Sequence, residues 1–368
     1  MEFEFDPKQL QETKSYAVSN EADADIVSED TIDCSMGVNP YGFSKAVKPV
    51  IRSYDVDHFF SYPHSQVHFD ALIEYWKGIC DLKKSNIFFT NGSVGGIYFL
   101  NAVFSRAKKT EVVGYYPTFT DTVESMKNFG LSYKGVPIHL EDGGRIDADE
   151  LIAAIGPETG LVYIDRPHNP TGQTMPLEDV EKIVKACRDN GAYCYMDEAY
   201  GDFIEKEECS LKLFEKYDNL IVSKTFSKGF GLANLRMGYV VANETLTGIL
   251  NRLGNPYILS DLYRNIIEAI LFADDLPTSH CAEIAASKKA LRGVIGNKIE
   301  MLRTDDRVAI CTLHLKDGGD LLSYLKSFGI LAVPGAEFDL LDESYVRFRI
   351  PAADQMDALL ERISNADK

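Results

Sequence analysis

The amino-acid sequence predicts an α/β protein in which helices flank a mostly parallel, mixed sheet, joined to a smaller α+β domain. Strand-like runs alternate with helical patterns as far as Asn243, and such alternation is typical of a parallel sheet. The 368 residues, 45% hydrophobic and 26% charged, suffice for two subdomains around a large core. We expect a large domain over 45–243, a small domain over 244–368, and an N-terminal segment, 1–44, that packs with the small domain.

The individual elements follow from local hydrophobic patterns. Strands of the larger sheet are predicted over 86–89, 111–114, 131–136, 160–164, 192–196, 220–223 and 237–241. A long helical stretch is predicted over 259–295. Beyond it the sequence predicts a strand over 308–314, a helix over 320–328, a strand and turn over 329–335, and a last strand over 346–350.

The most informative motif is Thr-Phe-Ser-Lys-Gly, which places Lys228 in a turn after a strand, with Arg236 eight positions later. Thr225, Ser227 and Arg236 can then surround one phosphate near the lysine amine. A buried lysine beside other cations is easier to deprotonate and becomes nucleophilic, so the pattern favours a lysine that forms an aldimine with a cofactor. Lys224 competes, but only Lys228 has an arginine at this offset. Alone, the segment could also be a solvated turn.

Two further strand ends supply the polar groups that a pyridine ring needs. Asp197 follows the run 192–196, and the carboxyl ends of parallel strands face the crevice of an open α/β sheet. Its carboxylate can hold a ring nitrogen protonated, and Tyr200 can reach a ring hydroxyl. Asn169 lies in the rigid turn Asn-Pro-Thr-Gly after the run 160–164 and can offer its amide to the same hydroxyl. This ordered set predicts pyridoxal 5'-phosphate as the cofactor.

A glycine-rich turn that leads into a helix predicts where the cofactor phosphate binds. The turn follows the run 86–89, and the backbone N–H groups of Gly92, Ser93 and Val94 are free at the helix start. Together with the helix dipole they would hold a phosphate without a charged side chain. Phe119, after the next strand, could stack on the cofactor ring or could equally be a core residue at a helix start.

Together these motifs resemble those of the fold-type I pyridoxal-phosphate aminotransferases of classes I and II, most of all the histidinol-phosphate aminotransferase group. The resemblance runs over 33–351. It includes Asn39-Pro-Tyr-Gly42, Ser61-Tyr-Pro63, Asn169-Pro-Thr-Gly172, Asp197-Glu-Ala-Tyr200, Ser227-Lys228 with Arg236, and Val346-Arg-Phe-Arg-Ile350. It implies an aspartate aminotransferase-like fold with a large domain that binds pyridoxal phosphate.

The resemblance also implies roles for individual residues. Lys228 would bind the cofactor, Asp197 would pair with its nitrogen, and Asn169 and Tyr200 would contact its hydroxyl. Further roles concern the substrate and the assembly: Arg347 would bind the substrate carboxylate, Gly37 would lie at the substrate end, and Tyr62 would reach the cofactor phosphate of the neighbouring subunit. A homodimer with composite active sites is therefore the expected assembly.

Several positions depart from the family pattern. Val38 stands where the histidinol-phosphate group usually has an acidic residue, so the resemblance does not imply histidinol phosphate as the substrate. Asn234 replaces a usual glycine, while Arg166 and His168 crowd the Asn-Pro-Thr-Gly turn. The resemblance thus implies the cofactor but leaves the substrate open.

The function that the resemblance implies is transfer of an amino group from an L-amino acid or related amine to a 2-oxo acid. A decarboxylase similar to threonine-phosphate decarboxylase, or a racemase, would share the cofactor and most of these residues. The bond that breaks is the one perpendicular to the cofactor ring, and this orientation is not visible in a sequence. A more distant alternative is a binding protein that keeps the fold without turnover.

Composition argues against several other classes. The formal net charge of −18 would repel nucleic acids and anionic membrane surfaces. No apolar run is long enough to span a bilayer, and the first residues lack a targeting pattern, so we expect a cytoplasmic protein. The seven cysteines form no Cys-x-x-Cys pair, so we expect them to be reduced. His64 and His68 have the i,i+4 spacing at which a helix could hold a metal, but a solvated helix face is the more common meaning of such a pair, and we expect no metal.

Overall fold

The computed structural model describes residues 30–368. Its strands are β1 (Ile32–Asp33), β2 (Ile87–Thr90), β3 (Glu111–Tyr116), β4 (Ser132–Pro137), β5 (Thr159–Asp165), β6 (Tyr193–Asp197), β7 (Leu220–Thr225), β8 (Gly238–Val241), β9 (Ile299–Met301), β10 (Ile310–Leu315), β11 (Ile330–Leu331), β12 (Val333–Pro334) and β13 (Tyr345–Arg349). Its helices are α1 (Val47–Ser53), α2 (Val67–Trp76), α3 (Gly92–Phe104), α4 (Thr120–Asn128), α5 (Ala148–Ala154), α6 (Leu177–Asp189), α7 (Glu244–Leu253), α8 (Asp261–Leu271), α9 (Cys281–Arg292), α10 (Leu321–Lys326) and α11 (Ala353–Ala366).

The larger sheet has seven strands in the order β2-β8-β7-β6-β5-β3-β4. β8 runs antiparallel to both of its neighbours, whereas the pairs from β7 to β4 are parallel. The predicted mixed, mostly parallel sheet is therefore confirmed. Its parallel strands all end at one edge, which brings their carboxyl-terminal residues together.

Helices cover both faces of this sheet, and β5 shows how the sequence specifies this. Val162 and Ile164 belong to the core that also contains residues of α2 and α6, whereas Leu161 and Tyr163 belong to the core with α3 and α7. Successive side chains of a strand point to opposite faces, so a strand buried on both sides is apolar along most of its length. The acidic residue of β5 is its last one, Asp165.

The smaller domain is built around an antiparallel sheet with the order β12-β13-β10-β9. A separate core lies between this sheet and helices α9, α10 and α11, and it includes Leu291, Leu325 and Leu359. The predicted α+β character of this part is confirmed. β13 crosses the middle of the sheet and carries Arg347 and Arg349.

The exact domain boundaries remain a prediction. Of the segment 1–44, residues 1–29 lie outside the described residues, while Ile32 pairs with Ile330 and packs in the core of the smaller domain. Helices α7 and α8 fall within the range predicted for the small domain. However, Leu250 and Ile267 on these helices pack in the two cores of the larger sheet.

The long helical stretch predicted over 259–295 is interrupted in the structure. Helices α8 and α9 are separate, and a 3-10 turn, Pro277–His280, lies between them. Pro277 lacks an N–H group and so cannot continue a preceding helix. A residue from another part of the chain also holds the segment between α8 and α9, because Asp275 in this segment accepts a hydrogen bond from the Ser44 hydroxyl at 2.6 Å.

Two further expectations can be compared with the structure. All seven cysteines fall within 30–368, and all are buried and free, as predicted for packing residues. None of the helices in the described range is both long and apolar enough to cross a membrane.

Candidate active site

A cavity of about 690 Å³ lies where β5, β6 and β7 end. Most of the residues predicted for the site line it, although they come from distant parts of the chain. These are Gly37, Ser93, Val94, Phe119, Asn169, Asp197, Tyr200, Thr225, Ser227, Lys228, Arg236 and Arg347. The topology of the sheet is what brings them together, because parallel strands deliver their ends to one edge.

One end of the cavity contains a group of anion-binding donors at the start of α3. Gly92 opens this helix with φ +72°, a backbone conformation that favours glycine. A Cβ at this position would lie 2.6 Å from Nη2 of Arg236, so the guanidinium packs directly on the helix start. Ser93 and Val94 line the cavity beside it. N–H groups in a first helical turn have no partner within the helix and, with the dipole, attract anions.

Side chains after β7 complete this group. Nη1 of Arg236 donates to Oγ of Ser227 at 3.2 Å, and the hydroxyl groups of Thr225 and Ser227 lie 2.9 Å apart. Arg236 itself has φ +51°, a left-handed conformation that turns its side chain back towards α3. Two hydroxyl groups, a guanidinium and a helix N-terminus thus converge on one end of the cavity.

Asp197 lies at the end of β6 and is 2% exposed. The hydroxyl of Ser223 donates to Oδ1 at 3.0 Å, and the hydroxyl of Tyr163 donates to Oδ2 at 3.1 Å. Burial raises the pKa of this carboxyl to about 6, although both hydrogen bonds favour the charged form. Because the ionised carboxylate is buried and forms no ion pair with any of residues 30–368, a positively charged group that enters the cavity next to Asp197 would be bound favourably.

Tyr200 and Asn169 face the cavity near Asp197. The Tyr200 hydroxyl is buried and has no hydrogen-bond partner among residues 30–368. A Cβ on Gly37 would overlap this hydroxyl, so only glycine leaves room for it. The backbone N–H of Asn169 is fixed by Asp165, which leaves its side-chain amide to the cavity. An orphaned buried hydroxyl of this kind indicates a ligand that supplies the missing partner.

Arg347 and Arg349 lie two positions apart on β13, and the structure distinguishes them. Arg347 is 1% exposed and lines the cavity; Nη2 donates to the carbonyl of Ser35 at 2.7 Å, and Nη1 lies 3.4 Å from Oδ1 of Asn169. Arg349 instead donates to the carbonyls of Asp33 and Ile350. The guanidinium of Arg347, the arginine predicted from the sequence to bind a carboxylate, therefore lies at the cavity.

The two competing lysines are also separated by the structure. Lys228 is half-buried and lines the cavity, with Nζ 5.5 Å from the ring centroid of Tyr200. Lys224 is buried behind it, with Nζ 3.3 Å from Oδ1 of Asp202 and 3.5 Å from Oε2 of Glu198. Burial alone would lower the pKa of Lys224, but these carboxylates raise it well above its usual value. Lys224 is thus a structural cation, and Lys228 is the amine that meets the cavity.

Two predicted residues do not line the cavity. Gly92 lies behind Ser93 and contacts the site through Arg236. Tyr62 is 68% exposed, and its ring packs at 4.5 Å on the ring of Tyr257. The cavity of a single chain therefore does not include the Tyr62 hydroxyl.

The unusual residues Arg166 and His168 have structural contacts. Arg166 is buried, pairs with Glu198 at 3.1 Å, and donates from Nε to the carbonyl of Met175 at 2.8 Å. His168 lies 2.8 Å from both the hydroxyl of Thr171 and the carbonyl of Pro117. Both side chains therefore hold the turn in place and do not line the cavity.

Sequence reasoning missed some residues that line the cavity, of which the most consequential is Asp165. Others are Met36, Asp121, Pro167, Ala199 and Ala233. Asp165 ends β5 directly beside the end of β6, so the rule that selected Asp197 could also have selected Asp165.

A group of side chains outside the cavity has the composition of a metal site. Ligand atoms of His139, Asp147 and Glu150 lie within 4.8 Å of one another. Hydrogen bonds already account for this arrangement, because Asp147 caps α5 and pairs with Arg145 at 2.6 Å, while His139 bonds Glu150. We assign no ion to it.

Comparison with known proteins identifies the family of this chain. The model of the aminotransferase class I and II family matches residues 29–363. A histidinol-phosphate aminotransferase of Pyrococcus furiosus is 32% identical over 69% of this chain and 71% of its own length. One of Francisella philomiragia is 33% identical, and this match spans 58% of each protein.

Solved structures share the fold. The histidinol-phosphate aminotransferase of Sinorhizobium meliloti, in complex with pyridoxal-5'-phosphate, has a TM-score of 0.79 at 20% identity and covers 98% of this chain and 97% of that one. The L-threonine-O-3-phosphate decarboxylase of Porphyromonas gingivalis has a TM-score of 0.74 at 19% identity, over 91% and 98% of the two chains. Because the family model matches most of the sequence, the chain belongs to the class I and II aminotransferases, the pyridoxal-phosphate-dependent family that its motifs predicted.

Proposed function

We propose that the protein transfers an amino group from an L-amino acid or a related amine to a 2-oxo acid, with Lys228 as its catalytic residue. The observation that carries this proposal is the convergence of Lys228, Asp197 and an anion-binding group on one cavity. A decarboxylase shares the fold, but a likeness at 19% identity supports nothing beyond the fold. No contact within the described cavity favours decarboxylation.

The residues present fit pyridoxal 5'-phosphate. The start of α3 with Ser227 and Arg236 suits its phosphate, and the buried carboxylate of Asp197 suits a protonated ring nitrogen. The unsatisfied hydroxyl of Tyr200, with the amide of Asn169, suits a ring oxygen. Each part of the cofactor thus has a separate set of donors or acceptors.

When bound, the cofactor supplies an electron sink for the negative charge that develops at the substrate Cα. The protein does the remaining work. Asp197 would stabilise positive charge on the ring nitrogen, and its two hydroxyl donors fix the orientation of its carboxylate. Lys228 Nζ would take the proton that leaves the substrate Cα, as a general base, and would then donate it, as a general acid, to the cofactor carbon that keeps the amino group.

Substrate orientation depends on the opposite end of the cavity. Arg347 is buried, and a planar guanidinium binds a carboxylate through two parallel hydrogen bonds. Gly37 and Val38 line the cavity beside Tyr200, so this wall is uncharged. We propose that the substrate carries a carboxylate for Arg347 and no positive group that would need an acid at position 38.

The assembly that we propose is a homodimer with composite sites. Large apolar side chains are exposed around Tyr62, including Val56 at 65%, Phe59 at 62% and Phe60 at 98%. Neighbouring exposed apolar residues of this kind often mark a protein interface. A second copy packed here would bury them and would bring Tyr62 towards the cofactor phosphate of its partner. We also propose that the enzyme is cytoplasmic.

The test of the proposed function is a half-reaction on the purified protein loaded with pyridoxal phosphate. Single L-amino acids and histidinol phosphate are added in turn, and the cofactor spectrum and released products are followed. Conversion to the aminated cofactor with one equivalent of the matching oxo compound supports the proposal. Release of carbon dioxide, or no spectral change with any amine, contradicts it.

A further inference from the structure

Two buried carboxyl groups lie side by side at the edge of the cavity. Strands β5 and β6 are parallel neighbours, and their pairing register places Asp165 directly opposite Asp197. Both residues line the cavity, with exposures of 5% and 2%. Neighbouring strands lie about 4.8 Å apart, so the two side chains belong to one electrostatic environment.

Asp165 also organises the turn that follows it. Its Oδ2 accepts the backbone N–H of Asn169 at 2.9 Å, and its Oδ1 accepts the hydroxyl of Thr118 at 3.0 Å. The first bond closes the loop between the end of β5 and Asn169. The second ties this loop to the segment after β3, so the position of the Asn169 amide depends on the Asp165 carboxylate.

Neither carboxyl group forms an ion pair with any residue of the described chain. The titratable groups around the pair are uncharged tyrosines and one histidine of the turn, together with the charged side chains that line the cavity. The first set is Tyr133, Tyr163, Tyr195, Tyr200 and His168. The charged set is Asp121, Lys228, Arg236 and Arg347. Burial raises the pKa of Asp165 as well as that of Asp197, and the nearby Asp165 carboxylate raises the pKa of Asp197 further. The pair thus makes a negative region that attracts one positive charge.

We propose that Asp165 is a positioning residue of the cofactor pocket, whose carboxylate fixes the turn that presents Asn169 and adds a second negative charge beside Asp197. The added negative charge would further stabilise a protonated ring nitrogen beside Asp197. The turn would place the side-chain amide of Asn169 at the ring hydroxyl. The inference rests on the proposed function for the identity of the ligand. The pairing of the two carboxyl groups can be measured without turnover.

The test is a ¹³C-carboxyl NMR titration of the full chain freed of cofactor, in the parent and in Asp165→Asn. The amide oxygen of the variant can still accept the Asn169 N–H, so the change removes the charge and retains the turn. We expect the Asp197 midpoint to lie at a lower pH in the variant than in the parent, because the nearby negative charge that raises its pKa is removed. Asp202→Asn is the matched control, because this buried carboxyl pairs with Lys224 and should leave the Asp197 midpoint unchanged.

An Asp197 midpoint that stays the same in Asp165→Asn would overturn the proposal. If that variant fails to fold, the parent alone decides the question. Coupled groups titrate in two shared steps that both resonances report, whereas independent groups titrate separately. Two separate, single-step curves would also overturn the proposal. Failure of the amine panel with coupled titration intact would instead reject the proposed function alone.

Discussion

Replacing Lys224 and Lys228, which lie near the end of β7, with methionine one at a time distinguishes a lysine that stabilises the fold from one that acts in catalysis. Lys224 is 2% exposed and is the cation of the described chain that pairs with Asp202, at 3.3 Å. It also lies 3.5 Å from Glu198, which keeps Arg166 as a second partner. Lys224→Met leaves a buried carboxylate without its cation, and such losses cost about 3–5 kcal/mol of unfolding free energy.

Lys228→Met is the matched control with the opposite expectation. The side chain is half-buried at the cavity wall, so its loss should change the unfolding free energy by about 1 kcal/mol or less. It should abolish covalent attachment of the cofactor, which Lys224→Met should retain if the variant is folded.

Two assays on the same pair of variants check both halves of this prediction. Urea denaturation of the cofactor-free proteins, followed by tryptophan fluorescence, reports stability. The visible absorbance band of protein-bound cofactor reports attachment. Unfolding of Lys224→Met at the same urea concentration as the parent would show that Lys224 is not a structural cation. A covalent band that persists in Lys228→Met would show that Lys228 does not carry the cofactor.

Four further predictions concern other parts of the site. Arg347→Lys should raise KM for carboxylate substrates about 10–100-fold, because lysine lacks the planar guanidinium that binds a carboxylate through two hydrogen bonds. Arg349→Lys is the control and should change KM less than about threefold. Equal effects of the two changes would show that Arg347 is not the carboxylate-binding residue. Asp197→Asn should slow proton abstraction severely. In the cofactor-free protein the same change should be stabilising: the folded pKa is raised from 3.8 to about 6, so the parent loses on the order of 3 kcal/mol as pH rises through this window. The variant should therefore unfold at a higher urea concentration than the parent at pH 8, and the two proteins should unfold at the same concentration below about pH 4. Equal unfolding concentrations at pH 8 would contradict this prediction. Mixing inactive Lys228→Ala with an inactive Tyr62 variant should restore activity in mixed dimers; a mixture that stays inactive would reject composite sites.

Local sequence was sufficient to predict most of the cavity. Lys228, Asp197 and Asn169 each follow a strand-like run, and parallel strands end at one edge whatever their order in the sheet. The prediction of the site therefore needed the type of sheet and not the strand order. The choice between Lys224 and Lys228 rested on motif spacing, and the structure supplies its physical reason in the buried ion pairs of Lys224.

What the sequence could not supply is the relation between elements. The pairing of Asp165 with Asp197 depends on β5 and β6 being neighbours in register, which no single segment encodes. The break between α8 and α9 was missed because the helical pattern resumes after Pro277, so one interrupted stretch reads as continuous. The packing of α8 on the larger sheet likewise depends on tertiary contacts with α1 and α2.

The role of Lys228 is tested most directly by finding which residue carries the cofactor. The unmodified protein, loaded with pyridoxal phosphate, is reduced with borohydride and digested, and the labelled peptide is sequenced by mass spectrometry. We expect a single label on Lys228, since this lysine lines the cavity beside Tyr200 and Asp197. A label on Lys224 or on any other lysine, or a protein that takes up no label, would contradict it.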